Sequence, residues 1–179
     1  MFSRTYWKRM LVMLTGLPGT GKSTLAAQIA ERCGGIILSK DRMRAALFPG
    51  DLTEYSSRQD DFCFDLMLQT ARWLLEQQGR KLILLDGRTF SKQCQRDIVI
   101  QFAEALALPL VTVECICKPE TAVARLQADL AAGTHPARNR TPELYWQVRS
   151  SFEPVQAPKI TVDTDLAVPE SLYSNFRVS

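Results

Sequence analysis

Apolar residues in this chain fall into short runs separated by longer amphipathic stretches, and that alternation outlines the fold before any motif is considered. Five runs read as strands: Met10–Thr15, Ile36–Leu38, Lys81–Asp86, Pro109–Cys117 and Lys159–Asp163. The third is almost continuously apolar up to its terminal carboxylate, the pattern of a central strand covered by helices on both faces. The fourth alternates and is rich in β-branched residues. Helical patterns lie between and after the strands: Lys22–Arg32, closed by Gly34-Gly35, then Arg42–Leu47, Thr53–Gln78, Gln93–Leu106, Glu120–Ala131, Glu143–Phe152 and Pro169–Arg177. Lys118-Pro119 and Thr141-Pro142 open two of them in the positions where proline is tolerated. In the longest, Cys63, Leu66, Met67, Thr70, Ala71 and Leu74 recur at helical spacing and predict the core-facing stripe, with Phe62, Phe64 and Trp73 off it. Those aromatics are compatible with packing under a neighbouring loop or with stacking a nucleobase or sugar. Strands alternating with helices throughout predict an α/β architecture.

The turn between the first strand and the first helix changes this picture from architecture to chemistry. It reads Gly16-Leu17-Pro18-Gly19-Thr20-Gly21-Lys22-Ser23-Thr24, two glycines bracketing four residues and followed by Lys and a hydroxyl residue. Glycines let backbone N–H groups approach phosphate oxygens with no Cβ in the way, and the helix N-terminus adds unpaired donors and a positive partial charge. Placed between a strand and a helix, this is the P-loop or Walker A motif, a cradle for a nucleoside triphosphate. Gly16, Gly19, Thr20, Gly21, Lys22, Ser23 and Thr24 are the expected nucleotide contacts. Lys22 is placed to reach the β- and γ-phosphates, and the Ser23 hydroxyl is a candidate ligand of Mg²⁺.

Further candidates sit where strands end, the edge at which open α/β sheets bind ligands. The second strand delivers Asp41 and Arg44. Two readings stand side by side: Asp41 is an N-cap with Arg44 a solvated partner, or Asp41 is the general base for an acceptor hydroxyl and Arg44 holds an anionic group. The third strand ends in Asp86, compatible with a turn residue or with a carboxylate that holds Mg²⁺ or orients Ser23. Arg88 and Thr89 follow on the same loop, within reach of a substrate. Arg125 and Asp129, four apart on a helix, read as a surface ion pair. The stretch from Gly133 to Pro142 is basic and rich in helix breakers, so it reads as a mobile loop able to close over a nucleotide with its arginines.

Composition narrows the rest. At 179 residues, with 46% hydrophobic and 23% charged, the chain is expected to be one globular domain spanning 1–179. A net charge of +3 neither demands nor excludes a polyanionic partner. No apolar run reaches the roughly 18 residues of a membrane span, and the apolar run after Arg4, Lys8 and Arg9 reads as a first strand rather than a signal peptide. Five cysteines without disulfide or zinc spacing fit a reducing cytoplasm, with Cys115 and Cys117 as free thiols. A single histidine, His135, argues against a Ser-His-Asp triad or a multi-histidine metal centre.

The order P-loop, Ser39-Lys40-Asp41 with Arg44, Leu-Leu-Asp86-Gly, Arg125-Leu126, basic loop and Phe152-Glu153-Pro154 resembles small P-loop kinases. That group includes polynucleotide 5′-hydroxyl kinases, zeta toxins, gluconate kinases and adenylylsulfate kinases. The resemblance implies a P-loop NTPase three-layer sandwich with a five-stranded parallel sheet of order 2-3-1-4-5, a lid over about 118–142, and ATP with Mg²⁺ as cosubstrates. It implies Asp41 as general base, Arg44 on the acceptor's phosphate and Arg125 on the nucleotide. One departure stands out: where polynucleotide kinases tend to carry a second lid arginine, four residues after the position of Arg125, this chain has Asp129. The catalytic lid arginine is therefore expected at Arg138 or Arg140. The function expected is an ATP-dependent kinase acting on a hydroxyl of a small molecule or a nucleic-acid 5′ end. The alternative is an NTP-hydrolysing switch, against which stands the lack of an Asn-Lys-x-Asp guanine-reading segment.

Overall fold

The computed structural model describes residues 9–77, 81–133, 135–137 and 139–178. Five strands, β1 (Met10–Thr15), β2 (Ile36–Ser39), β3 (Leu82–Asp86), β4 (Leu110–Ile116) and β5 (Ile160–Asp163), form one sheet of order β2-β3-β1-β4-β5. Every pairing is parallel, as the expected order requires. The register sets Ser39 opposite Asp86 and Thr15 opposite Glu114, so β2, β3 and β1 release their loops along one edge.

Alternation along the central strand divides the core in two. Met10, Val12 and Leu14 point to the side covered by Leu25, Ala26 and Ile29 of α1 (Lys22–Cys33) and by Leu172, Tyr173 and Phe176. Leu11 and Met13 point to the side covered by α3 (Ser57–Glu76) and α4 (Gln93–Ala105). Both faces of β1 are thus closed to water, and the result is a three-layer sandwich. On one side of it α5 (Pro119–Ala132) and α6 (Pro142–Ser150) meet through Ala122, Leu126 and Tyr145. No helix among the described residues is long and apolar enough to cross a membrane.

Three expectations need correction. The short helix α2 (Lys40–Leu47) begins two residues earlier than its pattern suggests, with Ser39 at its cap, so Asp41 lies in the first turn and is not the N-cap. The inward face of α3 is Cys63, Phe64, Met67, Leu68, Ala71 and Leu75. Phe64 is buried because the loop after β3 presents Phe90 to it, edge to face at 5.6 Å, and Leu66, Thr70 and Leu74 are turned partly outward as a consequence. Phe62 and Trp73 are exposed, as residues off the stripe should be. Finally, α3 starts at Ser57 rather than Thr53: the Ser56 side chain caps it by accepting from the Gln59 N–H, while the Gln59 amide accepts from Glu54 N–H and donates to the Leu52 carbonyl. Gln78, at the other end of the expected span, lies outside the described residues. The last helical segment, Glu170–Phe176, is 3-10 in geometry.

Candidate active site

The phosphate cradle is held from behind before it meets any ligand. Thr15 Oγ1 and the Gly16 N–H both donate to the Thr89 carbonyl, at 2.9 and 3.1 Å, which fixes the start of the P-loop to the loop after β3. At Gly19, with φ 78°, a Cβ would stand 2.5 Å from the Ala122 carbonyl, so only glycine lets the loop press against α5. Thr20 is buried, its Oγ1 donating to the Leu17 carbonyl at 2.8 Å, which makes it a brace of the loop. Lys22 Nζ donates to the Gly16 and Leu17 carbonyls at 2.9 and 2.7 Å. Burial of this ammonium lowers its pKa to about 8.

Arg125 does not pair with Asp129. Its guanidinium donates to the Thr164 hydroxyl and carbonyl at 2.8 and 2.9 Å and to the Gly19 carbonyl at 3.4 Å, tying the P-loop to the end of β5. Asp129 instead meets Arg140 at 3.3 Å. The expected surface pair is replaced because the P-loop and β5 offer Arg125 three carbonyl and hydroxyl acceptors at once. Arg138 lies outside the described residues. His135 Nδ1 accepts from the Ala137 N–H at 3.0 Å, and burial, then Arg140, push its pKa below the usual imidazole range.

Opposite the cradle, the ends of β2 and β3 converge. At Gly87, with φ 83°, a Cβ would stand 2.9 Å from the Lys40 nitrogen and 3.0 Å from that of Asp41, so the loop after β3 packs directly on the first turn of α2. Arg44 is only 3% exposed, not a solvated partner: its Nη1 donates to Asp41 Oδ1 at 3.3 Å and its Nη2 pairs with Asp60. Lys40, 5% exposed, reaches Asp60 at 2.8 Å and Asp41 at 3.8 Å, and burial lowers its pKa to about 8. Arg88, 8% exposed, donates to Asp61 at 2.8 Å and lies over the Phe64 ring at 4.8 Å.

These two halves face one cavity of about 550 Å³. Gly19, Gly21, Lys22, Ser23 and Thr24 line one side, Asp41, Arg44 and Arg88 the other, with Asp86, Arg125, His135 and Arg140 between. Gly16 and Thr20 support it from outside the lining. Asp86 is buried, and its Oδ1 has no hydrogen-bond partner among the described residues. An orphaned carboxylate oxygen beside an exposed P-loop hydroxyl, Ser23, is the hard-oxygen donor set that suits Mg²⁺. The sequence pattern missed Lys40, Asp60 and Asp61. Adjacency to Asp41 was the one signal for Lys40, and nothing in helical periodicity ties positions 60 and 61 to cations 20 and 27 residues away. The Phe152-Glu153-Pro154 segment is a strap outside the cavity: Glu153 N–H donates to the Ser91 carbonyl and Arg96 to the Pro154 carbonyl.

Residues 11–154 match the family model AAA_33, an AAA domain. No curated protein matches the chain. Among solved structures, a candidate kinase from Chloroflexus aurantiacus J-10-fl is 26% identical, with TM-score 0.70 over 88% of this chain and 89% of that one. The APS kinase CysC of Mycobacterium tuberculosis, solved with AMPPNP and APS, is 17% identical, with TM-score 0.67 over 94% and 95%. A gluconokinase from Sinorhizobium meliloti 1021 is 15% identical, with TM-score 0.62 over 94% and 89%. The fold is that of the small P-loop kinase-like group.

Proposed function

The chain belongs to the AAA_33 family of AAA domains, and from that premise we propose that it is a kinase moving the γ-phosphoryl group of ATP to a hydroxyl of a small molecule or a nucleic-acid 5′ end. The observation that carries this reading is the shared cavity: the P-loop and the Asp41 carboxylate open into one space. A switch that only hydrolyses nucleotide has no need of a second polar wall.

In this reading the P-loop amides and Lys22 hold the phosphates, with the Gly16 and Leu17 carbonyls keeping the ammonium aimed over the loop. Asp41 Oδ accepts the proton of the acceptor hydroxyl as that oxygen bonds to the γ-phosphorus and the bond to the β-phosphate oxygen breaks, leaving ADP. Catalysis of this kind is mostly positioning and electrostatics. Arg44 orients Asp41, Arg88 lies within the acceptor half, and Arg140, which lines the same cavity, is the lid arginine assigned to the transferring group. Ser23 and Asp86 would hold Mg²⁺, which when bound neutralises phosphate charge. The APS kinase neighbour, solved with an ATP analogue, supports ATP as donor. Five free cysteines support a reducing compartment, the cytoplasm.

The Asp41→Asn variant tests the assignment of the base. It is expected to bind ATP normally and to lose transfer by about 10² to 10⁴-fold. Turnover near that of the unaltered chain would remove Asp41 from the role.

A further inference from the structure

Two features of the acceptor half are unaccounted for by Asp41 chemistry. First, three cations, Lys40, Arg44 and Arg88, are all more than nine-tenths buried around it. Second, besides Asp41, their counter-charges reach in from the start of α3: Asp60 meets Lys40 and Arg44, and Asp61, whose side chain is 62% exposed, meets Arg88. Arg88 shows the mismatch most clearly. One nitrogen, Nη2, meets Asp61, while Nε and Nη1 are buried with no hydrogen-bond partner among the described residues. Phe64 occupies one face of the guanidinium and supplies no acceptor in its plane. Buried charged donors left unpaired are costly, so a site that keeps them is built for an acceptor atom that this chain does not provide.

We infer that Asp61 stands in for an anionic group of the acceptor, and that the substrate is a hydroxyl compound bearing an oxyanion, which displaces Asp61 from Arg88. The inference rests on the kinase reading for the word acceptor, but its test does not depend on transfer. Once Asp61 leaves Nη2, that nitrogen and the unpaired Nε form a planar fork that takes two oxygens of a phosphate, sulfate or carboxylate in parallel, whereas a single Asp61 oxygen satisfies one donor. Asp61, 62% exposed, is rehydrated on leaving, and the incoming oxyanion takes its place on the buried Arg88, so the guanidinium is never left uncompensated. Asp60 pairs with Lys40 and Arg44 one residue earlier, but those two cations also keep Asp41 as a partner, so the exposed competitor is the one at Arg88.

The probes are inorganic sulfate and acetate, titrated calorimetrically into the intact chain with the donor half saturated by AMPPNP and Mg²⁺. Removal of the competitor by Asp61→Asn is expected to tighten sulfate binding about tenfold, and Arg88→Gln to abolish it in both backgrounds. Asp65→Asn, an equal change of charge at an exposed position one turn along α3, is expected to leave it unchanged. Sulfate binding ahead of acetate assigns a tetrahedral group, and the reverse order a carboxylate. Equal affinity in the unaltered chain and the Asp61 variant, equal tightening by the Asp65 variant, or binding that survives Arg88→Gln would each overturn the inference. Asp61 and Asp65 are both exposed, so their variants keep the fold and the comparison stands even if Arg88→Gln unfolds. A prior titration of AMPPNP alone reads the donor half, and phosphoryl transfer is assayed separately, so a failed anion site is distinguishable from a failed kinase.

Discussion

Lys22 is the residue on which the donor half turns, and its environment makes its role visible in protons. Burial holds its pKa near 8 instead of 10.5. Folding therefore disfavours its charged form: between about pH 8 and 10.5 the unfolded chain binds more protons than the folded one, so this lysine's penalty is full below pH 8 and is relieved as pH rises. Phosphates reverse the preference, because an anion stabilises the ammonium. Binding of AMPPNP at about pH 8.5 is thus expected to take up a fraction of a proton, read from calorimetry in two buffers of different ionisation enthalpy. The Lys22→Met variant should lose that uptake along with most of the affinity. Unchanged proton uptake in that variant would place the titrating group elsewhere, with Lys40, also near 8, the next to examine.

Among the elements, the contact between the loop after β3 and the first turn of α2 decides whether the two halves of the site face each other. Gly87 makes that contact possible, since a Cβ there would meet the backbone nitrogens of both Lys40 and Asp41 and its φ of 83° disfavours any other residue. Gly87→Ala is expected to cost about 1–3 kcal/mol in denaturant unfolding and to lower kcat far more than it weakens ATP binding. A variant that loses ATP affinity and kcat in equal proportion would mean that α2 does not carry the acceptor half. The same scale shows what the sequence pattern conveyed and what it did not. The P-loop, the strand ends and the order of elements are local in sequence, so spacing put Lys22, Ser23, Asp41 and Asp86 along one sheet edge, where all four line the cavity. Phe64 was misplaced because its burial depends on Phe90, 26 residues later and on another loop, and Arg125 because its acceptors, Gly19 and Thr164, are each far along the chain. Contacts made by folding, rather than by helical or strand period, are the ones a one-dimensional pattern leaves out.

For the whole molecule, a parallel sheet of order β2-β3-β1-β4-β5 places a phosphate cradle and a carboxylate wall along one edge, under a layer formed by α5 and α6. On the proposed reading that arrangement serves transfer rather than hydrolysis, because a second wall with buried cations gives a second substrate a place to bind. The most direct measurement follows γ-labelled ATP with Mg²⁺ across a panel of hydroxyl compounds, with and without an anionic group, including a 5′-hydroxyl oligonucleotide. Label is expected on an acceptor of the anionic set, and is expected to be lost in Asp41→Asn while ATP binding persists. Release of labelled inorganic phosphate alone, unchanged by every acceptor, would contradict the kinase reading and leave a nucleotide hydrolase in its place.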